Sequence, residues 1–224
     1  MISWKEDGYS YSKVCECQKV KAAEEKIRRS GLARAMKTQT FETFTVETDL
    51  QKRMKDMAEA YLKELLEGDD RPWMYIGGNP GAGKTHICTA VCGELLRAGK
   101  AVKYMQWVDE ARRLKRMVND EDFDELLAEY LDAEILYIDD LCKGRWGEFE
   151  PTDAEIRMAF SIFNGRYIRD LPTIVTSEWD LIEHLMGKET GTFSRVYEKT
   201  KKGEYVMYIG RSNANNYRLR KEQA

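Results

Sequence analysis

The chain has 224 residues, 42% of them apolar, with 36 Lys and Arg against 39 Asp and Glu and a net charge of −3. That length buries a core of ordinary size and fits one domain, or one domain with a small appendage. No apolar run approaches the ~20 residues that span a bilayer, the first residues lack the shape of a signal peptide, and the five cysteines are an odd number that suits reduced core thiols, so a cytoplasmic chain with no membrane partner is expected.

Residues 1–40 differ in character from the rest of the chain. They contain Cys15-Glu16-Cys17 and a polar helical stretch from Lys19 to Arg29, stopped near Ser30-Gly31. Residues 13–37 carry eight Lys and Arg against three Asp and Glu, and residues 195–222 repeat that balance. Basic ends on an acidic body suit contact with nucleic acid, and equally a solvated face. The expected division is an N-terminal basic appendage over 1–40 and one domain over 41–224. Phe41 to Val46 reads as a connector with aromatic anchors. Thr48 and Gln51 have capping-box spacing, and Leu50, Met54, Met57, Tyr61 and Leu65 then recur at helical steps until Gly68.

Trp73 to Ile76 predicts a short buried strand and Lys84 to Ala98 a helix. Between them Gly78-Asn79-Pro80-Gly81-Ala82-Gly83-Lys84-Thr85 fits G-x-x-x-x-G-K-[ST], the phosphate-binding loop of nucleotide hydrolases. Its glycines let backbone N–H groups turn inward on phosphates. Lys84 supplies a point charge, Thr85 offers a hydroxyl to Mg²⁺, and the helix N-terminus adds partial positive charge. His86 follows in the first helical turn and is grouped with the loop as nucleotide-binding.

Downstream, strands and helices alternate. Ala101–Gln106 reads as a strand, Val108–Val118 as a helix, Phe123–Tyr130 as a short helix and Ile135–Ile138 as a strand. Asp153–Ile168 reads as a helix and Thr173–Thr176 as a strand, followed by two short helices and a last strand, Tyr205–Ile209. This pattern predicts an α/β fold with a mainly parallel five-stranded sheet between helices. The strand Ile135–Ile138 delivers Asp139 and Asp140 at its C-terminal end, where open α/β sheets bind ligands. Asp139 is the expected partner of hydrated Mg²⁺, and Asp140 the group that polarises the attacking water.

Asn164-Gly165-Arg166-Tyr167, Leu171-Pro172-Thr173-Ile174-Val175-Thr176-Ser177, Phe193-Ser194-Arg195-Val196 and Asn216-Tyr217-Arg218 follow in that order. With the phosphate loop and Asp139-Asp140, the set resembles the AAA+ ATPases of the DnaC/DnaI helicase-loader group and their IstB relatives over about residues 41–220. The resemblance implies an ATPase that binds ATP and Mg²⁺, self-associates, and loads or remodels a replicative DNA helicase on single-stranded DNA. It implies that Arg195 acts as an arginine finger on a neighbouring subunit, so that turnover is slow until subunits assemble. It implies a nucleotide-sensing role for Arg218, a subunit contact or a structural role for Arg166, and a helicase-binding arm in residues 13–37. DNA contacts are expected from Arg112, Arg113, Lys115 and Arg116 on one helix and from Lys143 and Arg145, with Trp107 or Trp146 stacking a base.

Two departures matter. The group usually carries Asn after Thr-Ser as a γ-phosphate sensor, whereas this chain has Thr176-Ser177-Glu178-Trp179. Either Glu178 points away and Thr176 or Ser177 senses the phosphate, or Glu178 alters hydrolysis. Relatives also often carry a Cys-x-x-Cys before the Cys-x-Cys, and this chain has none, so Cys15 and Cys17 are two zinc ligands at most. Two other functions stay open, an IstB-like transposition helper and an ATP-gated adaptor with little turnover.

Overall fold

The computed structural model describes the backbone of residues 2–6 and 9–13, residues Glu25 and Arg28, and residues 30–68, 70–143 and 151–219. Strands β1 (Ile2–Glu6) and β2 (Tyr9–Lys13) pair antiparallel, with Glu6 opposite Tyr9. Cys15 and Cys17 lie outside the described residues, as does most of the polar segment 19–29 predicted as helix.

Helix α1 spans Asp49–Glu67, and Thr48 and Gln51 close the capping box that their spacing predicts. Its Met54, Ala58, Tyr61 and Leu65 are buried in one apolar cluster with strand β3 (Met74–Gly78) and helix α2 (Lys84–Arg97). Strand β4 (Val102–Gln106) leads directly into helix α3 (Trp107–Met117), and helix α4 (Phe123–Leu131) precedes strand β5 (Ile135–Leu141). Helix α5 (Asp153–Ile168) opens with a second capping box, Thr152 with Glu155. Strand β6 (Thr173–Ser177), a π-turn at Leu181–Leu185, helix α6 (Thr190–Lys199) and strand β7 (Val206–Ile209) complete the body.

The five strands β3 to β7 form one sheet in the order β4-β5-β6-β3-β7, and each neighbouring pair is parallel. Parallel strands need crossover helices, which cover both faces. One face packs α1 and α2; the other packs α3 to α6 around Trp107, Leu136, Phe163 and Phe193. Chain order and spatial order diverge most at β3, which lies between β6 and β7. This leaves a crevice at the strands' C-terminal ends, between β3 and its neighbours, where ligands of such sheets bind.

The segment before α1 belongs physically to the body. Leu32 and Met36 are buried in the cluster with α1 and α2, and the Thr40 carbonyl lies 3.0 Å from His86 Nε2. The division at residue 40 therefore falls inside a packed segment. Among the described residues no helix is long and apolar enough to cross a membrane.

Candidate active site

The loop between β3 and α2 is shaped by glycines in the left-handed region. Gly81 has φ +75° and Gly83, which caps α2, has φ +90°. A Cβ on Gly81 would stand 2.1 Å from Asn216 Oδ1, and one on Gly83 would touch the Phe44 ring at 3.0 Å. Both positions therefore favour glycine for conformation, and a side chain at either would also have to displace Asn216 or the Phe44 ring. The loop is also tied to the C-terminal segment: Tyr217 N–H donates to Gly81 O at 3.1 Å and Ser212 N–H to Asn79 Oδ1 at 3.1 Å. A narrow backbone cradle at a helix N-terminus fits a phosphate chain.

Lys84 is buried, and its Nζ donates to the loop's own carbonyls, Gly78 O at 2.7 Å and Asn79 O at 2.9 Å. Burial pushes its pKa down, against the charges of Asp140, Glu178 and Asp139. Thr85 Oγ1 donates to Asp139 Oδ1 at 3.0 Å.

The two adjacent carboxylates have opposite surroundings. Asp139 is buried and accepts from four hydroxyls: Thr85, Tyr137 at 2.8 Å, Thr176 at 2.6 Å and Tyr104 at 3.0 Å. Burial, and then the Asp139 charge, raise the pKa of both phenols, so they stay proton donors. Asp140 has φ +58°, a costly conformation for a residue with a Cβ. The β5–β6 register shifts there, between Ile138 and Leu141. Its N–H donates to Thr176 Oγ1 at 2.9 Å, so one threonine fixes both aspartates. The turn aims the Asp140 side chain into a cavity of about 290 Å³ lined also by Gly83, Lys84, Thr85, Glu178 and Arg218.

Several predicted residues converge on that cavity: Pro80, Gly81, Gly83, Lys84, Thr85, His86, Asp140 and Arg218. His86 is held there by Thr40 O and by Thr43 Oγ1 at 3.2 Å, with the Phe44 ring edge-on at 5.3 Å. Ser177 does not reach the cavity. It is fully buried, and its hydroxyl donates to Leu141 O at 2.8 Å and accepts from Trp179 N–H at 3.1 Å. Glu178 does face the cavity and so does not point away from it. Arg195 lies elsewhere, on α6, over the Tyr167 ring at 5.8 Å, with its guanidinium donating to Gly191 O.

The expected DNA contacts divide. Arg112 and Arg113 sit 3.6 Å from Asp109 and Glu110 on their own helix, and Lys115 and Arg116 are exposed. Lys143 is not on that surface: its ammonium is in the cavity, 2.9 Å from Asp140 and 3.1 Å from Glu178. Trp107 cannot stack on a base, because it is fully buried. Arg145 and Trp146 lie outside the described residues. Arg166 turns inward: it is fully buried and donates to carbonyls of Tyr130, Ala133 and Pro172 and to Thr173 Oγ1.

Sequence reasoning missed the phenols and the pairing of Lys143 with Asp140 and Glu178. Tyr137 lies two residues before Asp139 on the same strand face, a spacing that could have found it. Tyr104 comes from β4, where it stands opposite Tyr137, and cross-strand register leaves no local mark.

A family model described as IstB-like ATP binding protein matches residues 16–189. The uncharacterized protein YqaM of Bacillus subtilis (strain 168) is 30% identical over 227 residues, covering 96% of this chain and 68% of that one. Replicative helicase loader DnaC of Escherichia coli (strain K12) is 28% identical over 145 residues, 63% of this chain and 58% of that protein. Among solved structures, a crystal structure of DnaI matches with a TM-score of 0.62 at 20% identity, covering 79% of this chain and 93% of that one. At such identity the likeness is one of fold.

Proposed function

This chain belongs to the IstB-like ATP binding protein family, and from that premise we propose that it is an ATPase acting on a replicative DNA helicase. The observation that carries this reading is the convergence of Lys84, Thr85 and Asp140 on one cavity, with Asp139 bonded directly behind Thr85. The loop N–H groups and Lys84 would bind the phosphates of ATP. Thr85 and Asp139 would hold Mg²⁺, which supplies charge neutralisation on the phosphates. Asp140 would orient and polarise the attacking water, and Arg218 would report on the nucleotide.

Hydrolysis in this reading depends on assembly. Arg195 does not line its own subunit's cavity, so its charge would be supplied to a neighbour's transition state. The helicase as target is favoured by the match to DnaC, whose name states that role. Single-stranded DNA is proposed to run along α3 past Lys115 and Arg116. A basic arm before residue 40 would engage the helicase, and the protein would work in the cytoplasm.

The test is steady-state ATP hydrolysis against protein concentration, with and without single-stranded DNA, using Asp140→Asn as the blank. A rate per subunit that climbs with concentration and shifts with DNA supports the reading. ATP binding with no turnover above the blank, even with a helicase added, rejects it in favour of a gated adaptor.

A further inference from the structure

Lys143 is a cavity cation to which the proposed ATPase chemistry gives no task. Its Nζ bridges two carboxylates, Asp140 Oδ2 at 2.9 Å and Glu178 Oε1 at 3.1 Å. The bridge is built into the backbone. Lys143 N–H donates to Asp140 O at 3.1 Å, across a turn in which Asp140 and Cys142 both have positive φ. The other end is tied down by Trp179, whose Nε1 donates to Cys142 O at 2.9 Å, and by Ser177, whose Oγ donates to Leu141 O at 2.8 Å. These bonds lock the end of β5 to the end of β6, so Lys143 and Glu178 face each other without relying on flexible side chains alone.

Charge balance gives this contact a consequence. Among the described residues, the cavity is lined by the cations Lys84, Lys143 and Arg218 and the anions Asp140 and Glu178. Without Lys143 that set is neutral, and Glu178 presents an uncompensated carboxylate to whatever Lys84 and Thr85 bind. Burial opposes the Lys143 charge, but the hydrogen bonds and charges of Asp140 and Glu178 outweigh it and raise its pKa, so the ammonium is retained.

We propose that Lys143 is a specificity-determining residue: by neutralising Glu178 it allows this cavity to accept a nucleoside triphosphate, and its effect is confined to the terminal phosphate. The inference rests on the nucleotide reading of the cavity. A third phosphate adds at least one negative charge to a half-buried site, where unit charges a few ångströms apart interact strongly. A diphosphate, held by the loop and Lys84, lacks that charge. A carboxylate at the sensor position is therefore tolerated because a lysine three residues after Asp140 compensates it. The same contact makes Lys143 a positioning residue for Asp140.

The experiment is isothermal titration calorimetry of the full chain with two probes, the β,γ-imido analogue of ATP and ADP, each with Mg²⁺. Lys143→Met is expected to weaken the triphosphate analogue by about 30-fold or more while ADP changes by less than about 3-fold. Lys143→Met combined with Glu178→Gln is expected to restore the analogue to within about 5-fold of the parent, and Lys143→Arg to keep it. Equal losses for both probes, or a double variant as weak as Lys143→Met alone, would overturn the proposal. Failure of the parent chain to bind either probe would instead overturn the nucleotide reading itself.

Discussion

The two ends of the parallel sheet treat their polar groups in opposite ways. At the N-terminal end of β6, Arg166 is fully buried with no carboxylate bonded to it among the described residues, and its guanidinium is spent on the carbonyls of Tyr130, Ala133 and Pro172 and on Thr173 Oγ1. Burial lowers its pKa to about 9. At the C-terminal end, Lys84 rests on two loop carbonyls and Lys143 on two carboxylates that line an open cavity. A buried charge whose bonds are all made inside the fold holds elements together. A charge whose partners face a cavity can exchange them for a ligand's. The difference lies in where the partners sit, not in residue type.

The largest expected effect sharpens this contrast. Arg166→Met should destabilise the fold by about 3–5 kcal/mol, because several buried carbonyls lose their donor at once. Urea denaturation measures this, and a loss under ~1 kcal/mol would mean that the carbonyl cluster finds other donors. Asp140→Asn should leave the urea midpoint nearly unchanged and lower ATP turnover by roughly 10²–10³-fold, about 3–4 kcal/mol of transition-state stabilisation. Unaltered turnover would move the water-polarising role elsewhere.

A smaller effect is expected at Asp139. Tyr137→Phe removes one of its four hydroxyls and should cost about 1 kcal/mol in stability. Mg²⁺-dependent nucleotide binding should be retained, because Thr85, Thr176 and Tyr104 still orient the carboxylate. The smallest expected effect lies outside both ends. Glu64 on α1 meets Lys201 and Tyr205 before β7. Burial raises its pKa, but hydrogen bonds from Lys201 and Tyr205 outweigh this and hold the carboxyl below its usual range. A folded-state pKa below the unfolded one stabilises above the usual carboxylate range and loses that contribution as pH falls through the folded value. Glu64→Gln should therefore cost under ~1 kcal/mol near neutral pH and nothing in acid, read as the difference in urea midpoints.

The parts of the site that are local in sequence were legible before the fold. The phosphate loop, the apolar strand ending in Asp139-Asp140 and the Thr48 capping box each announce themselves within a few residues. Helix α5 spans Asp153–Ile168, the predicted bounds, because Pro151-Thr152 and the Asp170 turn mark them. The hairpin β1–β2 was overlooked, although Asp7-Gly8 between alternating Ile2-Ser3-Trp4-Lys5 and Tyr9-Ser10-Tyr11-Ser12 is a hairpin signal. What stayed hidden depends on register and backbone hand. Tyr104 reaches Asp139 only because β4 pairs β5 with Gln106 opposite Asp139. Lys143 turns into the cavity through a turn in which Asp140 and Cys142 adopt positive φ; aspartate tolerates that conformation better than most residues, but nothing local marks it at Cys142. The Arg166 carbonyls come from residues more than 30 positions away as well as from its own neighbourhood.

The central claim is that the loop from Gly78 to Thr85 binds nucleotide phosphates through Lys84. The measurement that tests it most directly is equilibrium binding of a fluorescent ATP analogue with Mg²⁺ to the parent chain and to Lys84→Ala. The account predicts saturable binding by the parent and a loss of at least about 100-fold in the variant, with a cooperative urea transition retained. Equal binding by the two proteins would contradict it.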